Sequence, residues 1–175
     1  ENIHALAKAK NVDVSQINVC IMDRPRHEKL IDAVRATGAA IRLIGDGDVA
    51  GVIAVTNPDT TIDLYMGSGG APEGVLAAAA LRCIGGQMQG RLKPSNREEV
   101  ERAAKMGIPD ISRKFSMQEM ASGDVIFSAT GVTSGSILEG VHFRGDFAET
   151  ESLVMRSATG TVRRIKTTFR NVKMK

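Results

Sequence analysis

An α/β fold is predicted here: a mostly parallel sheet with helices on both faces, followed by antiparallel strands. Three observations predict it. Between Ile17 and Ile84 the order strand, loop, helix occurs three times in succession, as parallel strands with helical crossovers require. Each of those strands runs into a loop rich in glycine or charge, at residues 23–26, 45–48 and 67–73. From Ile137 onward apolar and polar residues alternate and glycine interrupts them, the habit of antiparallel strands.

The elements follow in order. Residues 1–10 carry Ile3, Leu6 and Ala7 on one helical face. Residues 11–16 are a polar connector, and residues 17–22 (INVCIM) are a short, β-branched, continuous run that reads as a buried strand. Pro25 pushes Arg24 out of helical geometry, so residues 23–26 form a loop. Residues 27–37 are a helix with Leu30, Ile31 and Val34 inward, closed by Gly38. Residues 41–44 are the second strand, 45–48 a tight turn, and 49–55 a short helix with Val49, Val52 and Ile53 inward. Residues 57–59 break the pattern, 62–66 are the third strand, and 72–84 are an alanine-rich helix. Residues 87–93 alternate as a strand. Ser95 is expected to cap a helix reaching Met106, with Glu98 completing a capping box. Arg97, Glu98, Glu101, Arg102 and Lys105 form its solvated face. Residues 116–121 read as a short helix, 124–129 as a strand and 130–135 as a loop. Residues 137–143, 149–156 and 161–169 are the antiparallel strands. Arg163, Arg164, Lys166, Arg170, Lys173 and Lys175 make the end basic, as a solvated rim more than a nucleic-acid stripe.

Composition narrows the function classes. The 175 residues suffice for one domain with a real core. Aromatic residues make up 3%, with no Trp and one Tyr, which argues against a base-stacking surface for nucleic acid. A net charge of +3 favours small anionic ligands mildly. Cys20 and Cys83 lie in apolar runs and read as buried free thiols of a cytoplasmic protein. No apolar run approaches a membrane span. The chain opens at Glu1 on a helix pattern, which suggests a piece of a longer polypeptide.

The most informative stretch is residues 66–76, MGSGGAPEGVL. A glycine-rich turn leads into a helix at Pro72, with Glu73 in its first turn. Such a helix start offers unpaired N–H groups and partial positive charge to a phosphate, and it keeps Glu73 ionised. An ionised carboxylate beside free N–H groups suits a site for a hard cation and a phosphate; a plain strand–turn–helix corner is the other reading. Ligands of parallel sheets sit beyond the carboxyl ends of the strands, so the three loops are expected to meet at one edge. Dinucleotide binding is disfavoured, because the spaced G-x-G-x-x-G and its following acidic residue are absent. His4 and His142 are isolated, and His27 reads as a helix-start residue.

Five motifs then occur in order: DRPRH at 23–27, GDGDVA at 45–50, GGAPEGV at 69–75, FSATG at 127–131 and TGTVRRI at 159–165. Together they resemble class II fructose-1,6-bisphosphatase of the GlpX type. The resemblance implies a layered sandwich of the sugar phosphatase superfamily and a metal-dependent phosphatase of gluconeogenesis. It would remove the 1-phosphate of fructose 1,6-bisphosphate, and some relatives accept sedoheptulose 1,7-bisphosphate. It further implies that Glu73 is a ligand of Mg²⁺ or Mn²⁺. Arg24 and Arg26 would bind substrate phosphate, although Arg24 stands where relatives often have lysine. Asp46, Gly47 and Asp48 would contact the sugar, and Gly70 would make a backbone contact beside the metal ligand. The family's remaining metal carboxylates and its water-positioning threonine belong to an N-terminal portion with no counterpart in residues 1–175, so no catalytic residue is carried over. That portion or a companion chain is expected as partner, along with a homo-oligomeric assembly, and neither nucleic acid nor membrane.

One glutamate holds Mg²⁺ poorly, because the ion demands near-octahedral oxygen ligation. Arg24 and Arg26 suit a phosphate clamp through charge-assisted bonds, and Asp46 and Asp48 suit sugar hydroxyls. Equally, the arginines could be ordinary surface charges, and Asp46 could cap the following helix at Val49.

Overall fold

The computed structural model describes residues 1–170; Lys173 and Lys175 of the basic tail lie outside the described residues. The first half is a parallel α/β unit. Helix α1 (Asn2–Lys10) leads to β1 (Asn18–Met22), and a 3₁₀ turn (Pro25–His27) leads to α2 (Glu28–Arg35). Then come β2 (Ala40–Ile44), α3 (Asp48–Ala54), β3 (Leu64–Tyr65) and α4 (Ala71–Ile84). The sheet order is β2-β1-β3, with both pairings parallel. Bonds from Asp63 N–H to Asn18 O (2.9 Å) and from Met66 N–H to Cys20 O (3.0 Å) carry β3 one residue further at each end.

Alternation along β1 explains the layers. Val19 and Ile21 pack with Ile3 and Ala7 of α1 and Ile31 and Val34 of α2. Cys20 points the other way and packs with Ala54 of α3 and with Ile62. The sheet is therefore covered on both faces, as its apolar strand predicts.

The second half comprises β4 (Gln89–Gly90), α5 (Arg97–Lys105), β5 (Phe115–Ser116), α6 (Met117–Met120) and β6 (Ile126–Thr130). It ends with β7 (His142–Arg144), β8 (Phe147–Arg156) and β9 (Thr161–Arg170). Strands β6 and β7 pair antiparallel with successive parts of β8, and β9 pairs with all of its other side. This four-stranded antiparallel sheet outnumbers the parallel one. Leu153 and Met155 of β8 pack on Ile53 of α3 and on Ala80 and Cys83 of α4. Helices α3 and α4 thus form a middle layer between two sheets, and the stacking is helix, sheet, helix, sheet. Along β9, Val162, Arg164, Lys166, Thr168 and Arg170 share the inner face, while Thr161, Arg163, Ile165, Thr167 and Phe169 share the outer one. Nine of its ten residues are exposed.

Several local expectations are corrected. Asn96, not Ser95, caps α5: its Oδ1 accepts from Glu99 N–H (2.9 Å), while Ser95 N–H donates to Glu99 Oε2 (2.7 Å). The cap is shifted by one residue, since Asn caps as well as Ser, and Glu99 reaches back to the N–H of the residue before the cap, so the reciprocal box is not completed. The strand expected at 87–93 shrinks to β4, because its partner β5 is itself two residues long. Residues 137–141 fold back as a loop instead of a strand: Gly135 N–H donates to Leu138 O, and Glu139 N–H to the buried Glu151 carboxylate. Cys20 and Cys83 are free and buried, as expected. Among the described residues no helix is long and apolar enough to cross a membrane.

Asp63 ties the first layer together. Its carboxylate accepts from Asn18 N–H (2.8 Å) and pairs with the Lys10 ammonium. Burial pushes this carboxyl upward, but the Asn18 N–H and Lys10 outweigh it and hold the pKa below the ordinary value. A depressed folded pKa gives stability that is full above the unfolded value and is lost as pH falls through the folded one. Asp63→Asn should therefore cost about 1–2 kcal/mol at neutral pH. Urea unfolding at a series of pH values should show that gap closing below the usual carboxylate range.

Candidate active site

The parallel strands place the three loops at one edge. The first turn of α4 is its centre. Gly70 is the N-cap with extended backbone (φ −66°, ψ 147°), and Pro72 sits within the first turn, where a missing N–H costs nothing. Glu73 is exposed, and its carboxylate folds back over Gly70. A Cβ at residue 70 would overlap Glu73 Oε2, so the bare glycine is what lets this carboxylate lie against the helix start.

Arg26, from the loop after β1, donates through Nε to Ser68 O at 2.8 Å. Its guanidinium therefore stands beside the glycine-rich loop, and among the described residues its other N–H groups meet no hydrogen-bond partner. Arg24 instead turns back on its own loop, with Nη1 donating to Asp23 O (3.0 Å). Asp48 is the first residue of α3: its Oδ1 accepts from Val49 N–H at 2.8 Å, and its Oδ2 lies 3.7 Å from where a Gly69 Cβ would stand. The capping role considered for Asp46 is not taken up: Gly47 is the N-cap, no side chain caps α3, and Val49 N–H is met by Asp48. Gly47, just before α3, has φ +73°, a left-handed conformation that glycine adopts without strain. Asp46 and Gly47 are exposed and line a cavity of about 550 Å³ between the two sheets, together with Arg42 and Arg164.

Tyr65, half-buried at the end of β3, registers the local charges. Burial raises its hydroxyl to about 12, Asp48 and Cys20 push the same way, and Arg26 opposes them. Arg26 and Asp48 thus act on one phenol. Arg26, Asp48, Gly70 and Glu73 converge on one edge; Asp46 and Gly47 face the adjoining cavity, and Arg24 stays local.

Such a site can hold an anion at Arg26 and the N-terminus of α4, and hydroxyls or a cation at its carboxylates. Among the described residues no group of three or more His, Cys, Asp or Glu could hold a metal ion. Glu73 is one oxygen ligand where Mg²⁺ or Mn²⁺ needs about six. The described residues therefore do not assemble a complete metal centre.

Sequence reasoning missed His27 as anything but a helix-start residue. It is 2% exposed, and both ring nitrogens are engaged: Nδ1 with Met22 O (2.8 Å) and Nε2 with Ser68 N–H (2.9 Å). Its only trace in the sequence is a lone histidine after the arginine loop, which does not reveal a partner 41 residues away.

Beyond this geometry, the sequence model of the bacterial, glpX-encoded fructose-1,6-bisphosphatases matches residues 1–169. The chain belongs to that family. Among its relatives is a Synechocystis protein named D-fructose 1,6-bisphosphatase class 2/sedoheptulose 1,7-bisphosphatase, 40% identical over 95% of this chain. Proteins of the same name from Microcystis aeruginosa and Crocosphaera subtropica are 40% and 41% identical over the same share. The chain spans about half (52%) of the length of these relatives. Family membership bears out the resemblance that the five motifs carried.

Tyr65 is the chain's single tyrosine, so ultraviolet titration reads it alone. Its midpoint should lie at about 12, fall in Asp48→Asn and rise in Arg26→Met. A midpoint indifferent to both substitutions would separate these side chains.

Proposed function

We propose that this chain is the sugar-phosphate-binding part of a class II fructose-1,6-bisphosphatase. The reaction is hydrolysis of the 1-phosphate of fructose 1,6-bisphosphate to fructose 6-phosphate and phosphate. The observation that carries the reading is the meeting of Arg26, Asp48, Gly70 and Glu73 around the N-terminus of α4. Family membership supports the chemistry.

Each group has a part that follows from its type. Arg26 clamps the non-reacting phosphate, and Arg24 joins it only on leaving its bond to Asp23 O; a planar guanidinium matches phosphate oxygens and is always charged. Binding energy gained there positions the reacting end. Asp46 and Asp48 accept hydrogen bonds from sugar hydroxyls, and Gly47 and Gly70 let backbone approach the ligand. Glu73 offers one carboxylate to Mg²⁺ or Mn²⁺, whose other ligands come from polypeptide outside the described residues or from another copy. The reading also takes the protein as a cytoplasmic homo-oligomer of gluconeogenesis. The names of the cyanobacterial relatives support sedoheptulose 1,7-bisphosphate as a second substrate.

A second reading has one observation in its favour. With no group of metal-binding side chains among the described residues, the chain alone would bind sugar phosphate without hydrolysing it. Calorimetry with phosphate-release assays on the chain and on the full-length protein separates the two.

In the full-length protein, Glu73→Ala should lower phosphate release from fructose 1,6-bisphosphate by more than about a hundredfold. Its melting temperature should stay near that of the wild type, because Glu73 is exposed. Arg26→Met should raise KM by about tenfold or more, the worth of one charge-assisted hydrogen bond. Full activity in Glu73→Ala would remove it from the site.

A further inference from the structure

We propose that His27 is a positioning residue: its ring holds the Ser68 peptide and thereby sets where Arg26, Gly70 and Glu73 stand. The inference deepens the function proposed above and rests on it for its kinetic consequence, but not for its structural one.

The hydrogen bonds assign the tautomer. Met22 O can only accept, so Nδ1 carries the proton and donates to it at 2.8 Å. Ser68 N–H can only donate, so Nε2 accepts from it at 2.9 Å. Ser68 O also lies 3.0 Å from Nε2, but in this tautomer Nε2 has no proton to give it, and the donor to Ser68 O is Arg26 Nε at 2.8 Å. Neighbouring residues of one 3₁₀ turn thus grip the backbone of Ser68 at two successive peptide groups, His27 the N–H of one and Arg26 the carbonyl of the next. The ring is 2% exposed, so water does not compete for these bonds. A Cβ on Gly67 would stand 3.3 Å from His27 Cε1, so the loop lies directly against the ring.

Ser68 is two residues from Gly70, and Gly70 carries the folded-back Glu73 carboxylate. The loop spans the gap between β3 and α4 with three glycines, and backbone of that kind does not hold a shape by itself. The imidazole supplies a fixed point. It ties the loop to Met22, the last residue of the central strand. Arg26 depends on the same point, since a displaced Ser68 carbonyl would release its Nε–H.

Two substitutions divide the two ends of the ring in the full-length protein. His27→Asn keeps a donor at the depth of Nδ1 for Met22 O but does not reach Ser68. His27→Gln places its amide oxygen at the depth of Nε2, where it accepts from Ser68 N–H. Amide hydrogen exchange should show Ser68 losing at least tenfold protection in Asn and recovering it in Gln, with β1 amides unchanged in both. KM for fructose 1,6-bisphosphate should rise about tenfold in Asn, return toward wild type in Gln, and move more than kcat. If either variant fails to fold, Gly67→Ala displaces the ring without altering it and should reproduce the Asn pattern. Equal Ser68 exchange in Asn and Gln would overturn the inference, as would lost Ser68 protection with an unchanged KM. If the wild type hydrolyses no fructose 1,6-bisphosphate, the function reading fails, and the exchange comparison still decides the clamp.

Discussion

Helix α4 has almost no solvent side along its second half, and that confinement decides where its first turn points. Ala77, Ala78, Ala80, Leu81 and Cys83 are all buried. Val52 of α3 and Met117 and Ala121 press on one side of it; Leu153 and Met155 of β8 press on another. Only small side chains let a helix lie this close to α3 and α6 on one side and to β8 on another, which accounts for its run of alanines. The helix is immobilised at the end away from the ligand edge, and its N-terminus is held out as a fixed platform. The loop before it has no such packing and relies on hydrogen bonds to the neighbouring turn.

That platform carries both signs of charge. Arg26 and the helix N-terminus are positive, and Asp48 and Glu73 are negative. A ligand that is only anionic would leave the carboxylates without partners; the sugar phosphate proposed above, with anionic groups and several hydroxyl donors, would suit both kinds of group. The exposure of Glu73 leaves its remaining lone pairs open to a cation completed from elsewhere.

The sequence made the layered fold legible because its strongest patterns are local. The β-branched run of β1, the alanine-rich α4 and the alternation in β8 each declare an element and a buried face. The convergence of Arg26, Asp48 and Glu73 followed from one rule of parallel sheets, since all three sit just past a strand. The losses have physical reasons. Asn96 and Ser95 are equally good caps, so the start of α5 could not be settled locally. The apolar spacing at 137–141 matched a strand, but the Glu151 carboxylate captured Glu139 N–H and turned the segment into a loop. His27 was unreadable as a clamp because its short hydrogen bonds, to Met22 O and Ser68 N–H, go to backbone groups, which leave no side-chain signature.

Strand β9 presents ten residues of ladder whose far side meets no other strand among the described residues. Unpaired edges of that length invite a second molecule to add on. Arg163, Arg164, Lys166 and Arg170 work against the simplest version of this, since two copies meeting along β9 would oppose cation to cation. The same row of charge makes the strand selective: it welcomes an acidic or neutral segment and repels its own twin.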